Sequence, residues 1–264
     1  MSLTININRI RRLFQPIFNP KDFYCPVCDT YTDYFLPLNP YLVNLFHKNG
    51  RNEKDFDLLE TFNYRQFECP NCRAKDKYRL YALYLRKYFK NNSSFENRNF
   101  LDFAPEFPFT KFIKNTYKNI NYRTADLMMD GVDDKVDICD MKIYKDNSMD
   151  FFVCSHVLEH VVDDHKAMGE LFRVLKPGGK GIAMVPIQTN LKENLEDPNI
   201  TSEVDRWKYY GQDDHLRMYS KNGFIKHLTG AGFKVETLGI NEFGAAIFKK
   251  TEITPQSILY VVSK

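Results

Sequence analysis

Residues 150–186 read DFFVCSHVLEHVVDDHKAMGELFRVLKPGGKGIAMVP, and their pattern decides the architecture. The run 150–154 is apolar enough for a buried strand, and 156–175 carries apolar residues at helical spacing. Lys176-Pro177-Gly178-Gly179 stops that helix and turns the chain; proline lacks an amide donor, and glycine tolerates backbone angles closed to other residues. Residues 180–186, KGIAMVP, suit a central strand covered on both faces. Strand, helix and strand in that order form a βαβ unit, the building block of a parallel sheet.

Upstream, the pattern predicts a strand over 99–104 (NFLDFA), a helix over 107–117 with Phe109, Phe112 and Ile113 facing the core, and strands over 122–127 and 135–138. Downstream, a long polar stretch occupies 188–219, a helix spans 220–231 and closes at Gly232, and strands follow over 233–238 and 257–262. The expected fold is α/β, a Rossmann-like, seven-stranded, mostly parallel sheet with helices on both faces.

The front of the chain has a different texture. Cys25, Cys28, Cys69 and Cys72 form two C-x-x-C pairs, each with proline after its first cysteine. In a reducing compartment such pairs favour a metal over disulfides, and four thiolates make a closed structural zinc site. Residues 29–68 separate the pairs, a longer gap than in simple zinc ribbons, which implies an inserted excursion. A helix over 76–90 then leads into the second region. The polar stretch 91–94 is the natural seam, giving a small zinc-binding region over 1–94 and an α/β domain over 95–264. Cys139 and Cys154 fall in apolar runs and are expected to pack.

Composition narrows the function. Lys and Arg number 37 against 34 Asp and Glu, a net charge of +3, so the single-sign field typical of nucleic-acid binders is lacking. No apolar run spans a bilayer and the first residues carry no signal-peptide pattern, so the expected location is the cytoplasm. The basic and apolar stretch 5–18 reads either as a surface helix packed on the body or as a membrane-surface contact.

A doubly wound sheet binds its ligand beyond the carboxyl ends of its strands, where strand order reverses. Asp102, Asp126 and Asp137 stand at the ends of the first three expected strands of the second region. The turn after the first is Asp102-Phe103-Ala104-Pro105-Glu106; lacking glycines, it argues against a pyrophosphate cradle and so against NAD or FAD.

LDFAPE at 101–106, CSHVLEHV at 154–161, ELFRVLKPGGKGIAMVPI at 170–187 and GQDDHLRMY at 211–219, together with CPVC and CPNC and the Tyr78-Arg79-Leu80 that follows, resemble class I S-adenosylmethionine-dependent methyltransferases. The resemblance is to a methyltransferase type 11-like branch with a zinc ribbon ahead of the catalytic domain, and it covers nearly the whole chain. It implies that Asp102 to Glu106 cradle the methionine end, with Asp102 near its amino group. It further implies that Asp126 and Leu127 lie at the ribose, that Asp137 and the Ile138 backbone amide read the adenine, and that Cys154, Ser155 and His156 flank the transferring methyl. Ordinary members have Gly-x-Gly where this chain has Ala-Pro-Glu.

A hydroxyl acceptor must also lose a proton, and His156, His160 and His215 are the candidate bases, because imidazole titrates near neutrality. His156, Glu159 and His160 form H-x-x-E-H, which on one helix face reads either as a Mg²⁺ site completed by His215 or as a tie between the helix start and its loops. The aromatic and cationic groups in 188–219, Trp207, Tyr209, Tyr210, His215, Arg217 and Tyr219, suit a sugar or another polar acceptor, or else pack on one another. The expected activity is O-methylation of a small-molecule or glycan-linked hydroxyl. The alternatives are an inactive methyltransferase fold serving as a zinc-ribbon binding module, and an RNA or protein methyltransferase.

Overall fold

The structure, a computed structural model, describes residues 22–91 and 96–264. The basic stretch 5–18 and residues 92–94 of the seam lie outside the described residues.

Strands β1 (Phe23–Cys25) and β2 (Thr30–Thr32) form a small antiparallel ribbon carrying the first cysteine pair. Two short helices, α1 (Pro40–Lys48) and α2 (Glu53–Asp57), occupy the excursion before the second pair. Helix α3 (Asp76–Asn91) follows the second pair and leads to the large sheet. The alternation there is β3 (Asn99–Phe103), α4 (Phe107–Thr116), β4 (Asn121–Asp126), β5 (Asp134–Lys135), β6 (Met149–Ser155), α5 (Asp164–Val174) and β7 (Leu175–Met184). It continues through α6 (Glu203–Tyr210), α7 (Lys221–Gly230), β8 (Lys234–Leu238), α8 (Ile240–Phe243), α9 (Ala245–Thr251) and β9 (Leu259–Ser263).

The seven strands lie in the order β5-β4-β3-β6-β7-β9-β8, parallel except for β9, which runs against both neighbours. Strand order reverses between β3 and β6, so this Rossmann-like sheet has its switch point there, as expected. β6 is buried along its whole length, which explains why its sequence is continuously apolar rather than alternating.

α3 is the scaffold between ribbon and sheet. Leu80, Tyr81 and Leu85 on it are fully buried, Tyr78 stacks on Phe109 of α4, and Phe89 packs on Phe100 of β3 and Phe151 of β6. One apolar cluster therefore runs from Cys25 and Phe35 into the sheet. The guanidinium of Arg79, also fully buried, donates to the carbonyls of Gln66, Phe67, Thr251 and Glu252, tying the second cysteine loop to α9.

Four expectations need correction. The helix after β6 begins at Asp164, not at residue 156. His156 adopts φ 58°, which breaks any helix, and the side chain of Asp163 caps the true start by accepting from Lys166 N at 2.8 Å. His156, Glu159 and His160 thus sit on a turn and share no helix face. The strand expected over 135–138 is only Asp134–Lys135, so Asp137 lies two residues beyond it. The polar stretch 188–219 contains α6, capped by Ser202. Lys176 to Gly179 form a bulge inside β7 rather than a turn before it, since Met149 pairs Leu175 and Phe151 pairs Lys180, with Gly178 at φ 77° in the kink.

Candidate active site and cysteine centre

The two cysteine loops are matched. In CPVCD and CPNCR the residue after the second cysteine, Asp29 and Arg73, takes positive φ (57° and 64°), which folds each loop back so that both thiols point inward. The Sγ atoms of Cys25 and Cys72 are 3.8 Å apart, as are those of Cys28 and Cys69. Four thiolates at ~2.3 Å from one ion stand ~3.8 Å apart at the corners of a tetrahedron, whereas a disulfide would need ~2.05 Å. The four cysteines fit a zinc ribbon. Thr30 Oγ1, 3.0 Å from Cys28 Sγ and itself held by Asn71, supplies a hydroxyl beside one thiolate.

At the sheet, register brings the expected cofactor residues to one edge. Phe103 pairs with Ala125 of β4 and with Cys154 of β6, and Asp126 pairs with Lys135 of β5. Ala104, Asp126, Val136 and Ser155 therefore follow one another along the carboxyl ends. Ala104 takes φ 49°, a left-handed conformation that glycine adopts freely and alanine only under strain; His156, across the switch point, does the same at φ 58°.

Asp102 is buried (2% exposed) and accepts from Tyr122 Oη at 2.5 Å; burial, opposed by that donation and by Lys77, pushes its pKa up to about 7. Glu106 accepts from Lys75 Nζ (2.8 Å) and pairs with Lys77 Nζ (3.4 Å); burial alone would raise it, but the two ammonium groups pull it down to about 2. Pro105 lies between them in the turn that leads into α4. Asp126 Oδ1 accepts from Met128 N and Met129 N at 2.7 Å each, leaving Oδ2 without a partner among the described residues. Leu127 beside it is exposed. Asp137 is exposed and accepts from Cys139 N at 2.8 Å, while the Ile138 amide donates to no acceptor among the described residues. Ser155 Oγ meets Tyr81 Oη of α3 at 2.9 Å, and Cys154 is fully buried.

Beyond β6 the histidines converge on Glu159. His156 Nδ1 lies 3.3 Å and His160 Nε2 3.9 Å from Glu159 Oε1. Burial, then the charge of Lys77, lowers His156 to about 4, against the pull of Glu159. Burial also lowers His215, which packs edge-on against His160 with ring centroids 4.7 Å apart. The 211–219 segment is bound to this turn: Leu216 N donates to Glu159 O, and Arg217, 1% exposed, donates to the carbonyls of Leu158, Val161 and Val162 and to Glu196. Tyr219 Oη donates to Asp164 Oδ2. Most of the aromatic and cationic groups of 188–219 thus pack on the protein itself; Tyr209, at 38% exposed, and half-buried Trp207 remain accessible.

Sequence reasoning missed Lys75, Lys77, Tyr81 and Tyr122, which support the site from α3 and β4. Two lysines flanking a helix start are an ordinary surface pattern, and only the docking of α3 gives them a role. A cavity of about 700 Å³ beside Tyr117 and Ile120 lies away from the strand carboxyl ends and shares no residue with the site.

The family described as methyltransferase domain matches residues 114–183, the stretch from the end of α4 through most of β7. Solved structures with similar folds include an S-adenosylmethionine-dependent methyltransferase from Archaeoglobus fulgidus, 17% identical over 73% of this chain and 96% of that one, with TM-score 0.46. Another is an S-adenosylmethionine-dependent methyltransferase from Mesorhizobium loti, 14% identical over 64% and 92%, with TM-score 0.42. A third is Haemonchus contortus phosphoethanolamine N-methyltransferase 2 in complex with S-adenosyl-L-methionine, 14% identical over 62% and 41%, with TM-score 0.41. None of the curated proteins compared matches the sequence. Residues 114–183 are thus similar to a methyltransferase domain. A cysteine-bearing ribbon precedes the Rossmann-like sheet that holds this matched stretch.

Proposed function

We propose that this enzyme methylates a hydroxyl oxygen of a small-molecule or glycan-linked acceptor, using the edge between β3 and β6 as its cofactor site and a zinc ion to hold the ribbon. The observation that carries the reading is the register that aligns Ala104, Asp126 and Ser155 at the switch point.

The residues present suit the nucleoside. Asp126 Oδ2 is an open acceptor for a ribose hydroxyl, with Leu127 beside it. Asp137 and the free Ile138 amide offer one acceptor and one donor for an adenine edge. Asp102 to Glu106, the end of β3 and the turn after it, lie against the methionine end, and Cys154, Ser155 and His156 border the methyl. When bound, S-adenosylmethionine supplies an electrophilic methyl on a sulfonium.

His156 is the favoured base. Its Nδ1 faces Glu159, so Nε2 is the edge left for an acceptor, and the ring is 31% exposed. His156 takes the hydroxyl proton as the O–C bond forms and the S–C bond breaks, the electron pair staying on sulfur. His160 and His215 are the further candidates. Tyr209 and Trp207, beside the excursion helix that places Phe46 against Trp207, suit the flat face of a sugar ring. Residues 1–94 form the zinc-binding region and 95–264 the catalytic domain, with α3 shared between them. The enzyme works without membrane insertion in the cytoplasm; no helix among the described residues is long and apolar enough to cross a membrane.

Calorimetry with S-adenosylhomocysteine, followed by turnover on a panel of sugar and small-molecule alcohols, tests this reading. Tight product binding and transfer to an alcohol are expected. Absence of product binding would sink it, and transfer only to amines or RNA would remove the hydroxyl acceptor.

A further inference from the structure

The proposed methyl-transfer site holds a group of side chains that base catalysis by His156 leaves unexplained. Glu159 is fully buried, and neither carboxylate oxygen makes an aligned hydrogen bond among the described residues. A carboxylate enclosed without donors is costly unless a cation or a set of N–H groups meets it. Only His156, whose Nδ1 stands 3.3 Å from Oε1, offers it a donor on that side; the two other histidines do not. His160 Nδ1 is 3.2 Å from Asp214 Oδ2, and with the ring proton held there Nε2 turns toward Glu159 as a lone pair. His215 Nδ1 is 2.9 Å from the carbonyl oxygen of Tyr210, an atom that can only accept, so its proton is on Nδ1 as well. Nε2 of His215 is then a bare lone pair, buried and without a partner among the described residues. His215 is 2% exposed.

Two imidazole lone pairs and one carboxylate oxygen thus face one another, all within 4.8 Å. The donor from His156 meets only the outer side of Oε1, so a cation between the three atoms would satisfy the remaining lone pairs. A second oxygen atom on the far nitrogen of each histidine, a carboxylate for one and a backbone carbonyl for the other, is the arrangement that orients histidines toward a metal. The 3.9 Å between His160 Nε2 and Glu159 Oε1 is too long for a hydrogen bond, yet within the ~4.2 Å span of two atoms bonded at ~2.1 Å to a common ion. His156 stands outside the group, against Glu159 Oε1, and Mg²⁺, which prefers an all-oxygen shell, does not suit a nitrogen-rich one.

We propose that Glu159, His160 and His215 bind a divalent transition-metal ion of the Mn²⁺, Fe²⁺, Co²⁺ or Zn²⁺ class, separate from the cysteine centre and placed to hold the acceptor hydroxyl. Three protein ligands leave open positions, and a hydroxyl bound at one of them loses its proton more readily, to His156, as the O–C bond forms. The ion's role in transfer rests on the methyltransferase reading; its binding does not.

Mn²⁺ tests the site without competing for thiolates, because it prefers oxygen and nitrogen donors. Zinc-loaded full-length protein is titrated with Mn²⁺ and the free-ion electron paramagnetic resonance signal followed. One saturable site per chain is expected. Glu159→Gln is expected to weaken it by on the order of 100-fold, and His160→Ala, at a half-exposed position that the core does not need, by at least ~10-fold. Retained S-adenosylhomocysteine affinity in both variants separates loss of the ion from loss of the fold. Absence of saturable Mn²⁺ and Co²⁺ binding beyond the cysteine centre overturns the proposal, as does wild-type affinity in His160→Ala. Metal binding without transfer to any alcohol leaves the site standing and removes the hydroxyl-acceptor reading.

Discussion

The ammonium of Lys77 lies 3.4 Å from the carboxylate of Glu106, so the helix that leaves the cysteine centre is held by charge to the turn after β3. Lys75 reinforces the contact at 2.8 Å. Lys77 is 9% exposed, and a buried ammonium that loses its counter-charge pays much of its desolvation. Glu106→Gln is therefore expected to cost about 1–3 kcal/mol in denaturant unfolding. A double-mutant cycle with Lys77→Met should show a coupling above ~0.5 kcal/mol. Additivity within error would mean that the pair forms no functional link between ribbon and turn.

Because α3 begins four residues after Cys72 and carries Lys77 and Tyr81 to the proposed cofactor edge, loss of the proposed cysteine-bound zinc should be felt there. Chelation, or Cys69→Ser, is expected to release one zinc per chain and to lower the cooperativity of thermal unfolding. The same treatment should weaken S-adenosylhomocysteine binding, although none of the four ribbon cysteines belongs to that site. A chromogenic zinc assay run beside calorimetry checks both; undiminished product affinity in zinc-free protein would show the ribbon to be independent.

The contrast between what could be read along the chain and what could not has a physical basis. β6, α5 and β7 were legible because a strand buried on both faces and a helix with one apolar stripe write their burial directly into residue order. The cysteine loops were legible through spacing. The turn 156–163 was not: its apolar residues Val157, Leu158 and Val161 fall at helical spacing, while the left-handed backbone of His156 and the cap from Asp163 are set by Met184, Arg217 and Tyr219, distant in sequence. α1, α2 and α6 are short, and their stability comes from packing such as Phe46 on Phe56 and Trp207. Asp126 falls at a strand end as its position in the sequence suggests, and Asp137 two residues past one; the proposed lone pairs around Glu159 depend on which ring nitrogen is tied down, which residue order does not carry.

Glu60 makes stability depend on pH. It is 4% exposed and accepts from Tyr260 Oη at 2.8 Å, and burial, opposed by that bond, raises its pKa from 4.5 to about 7. A carboxyl raised on folding contributes stability that is full below about 4.5, fades as pH rises toward 7 and is gone above it. Wild-type protein is therefore expected to lose up to about 3 kcal/mol from this group between pH 4.5 and 7.5, and Glu60→Gln to lose less over the same range. Equal pH slopes in urea unfolding for the two proteins would remove Glu60 as the cause.

His156→Asn separates proton transfer from backbone shape. Asparagine tolerates the left-handed region better than most residues, so the turn at φ 58° should persist. Product affinity is expected within about threefold of wild type, since the proposed contacts of the nucleoside lie elsewhere. Turnover on an alcohol should fall by about 10²–10⁴-fold, the range a positioned general base supplies. Unchanged turnover would assign proton removal to another group.

Asp126→Asn divides structure from binding more finely, because the two oxygens of Asp126 do different things. Oδ1 accepts from Met128 N and Met129 N and so closes the turn after β4. An asparagine carbonyl can accept the same two bonds, so stability should change by less than ~0.5 kcal/mol. Oδ2, the atom proposed to accept from ribose, becomes an NH₂ group that can only donate. Loss of a charged hydrogen bond is worth about 1.5–3 kcal/mol, so S-adenosylhomocysteine should bind about 10- to 100-fold more weakly. Asp126→Ala would lose both functions and cannot distinguish them. If Asp126→Asn instead bound the product as wild type does while Asp126→Ala unfolded, Asp126 would be a turn residue alone, and the ribose would have to be held by another group at the carboxyl edge of the sheet.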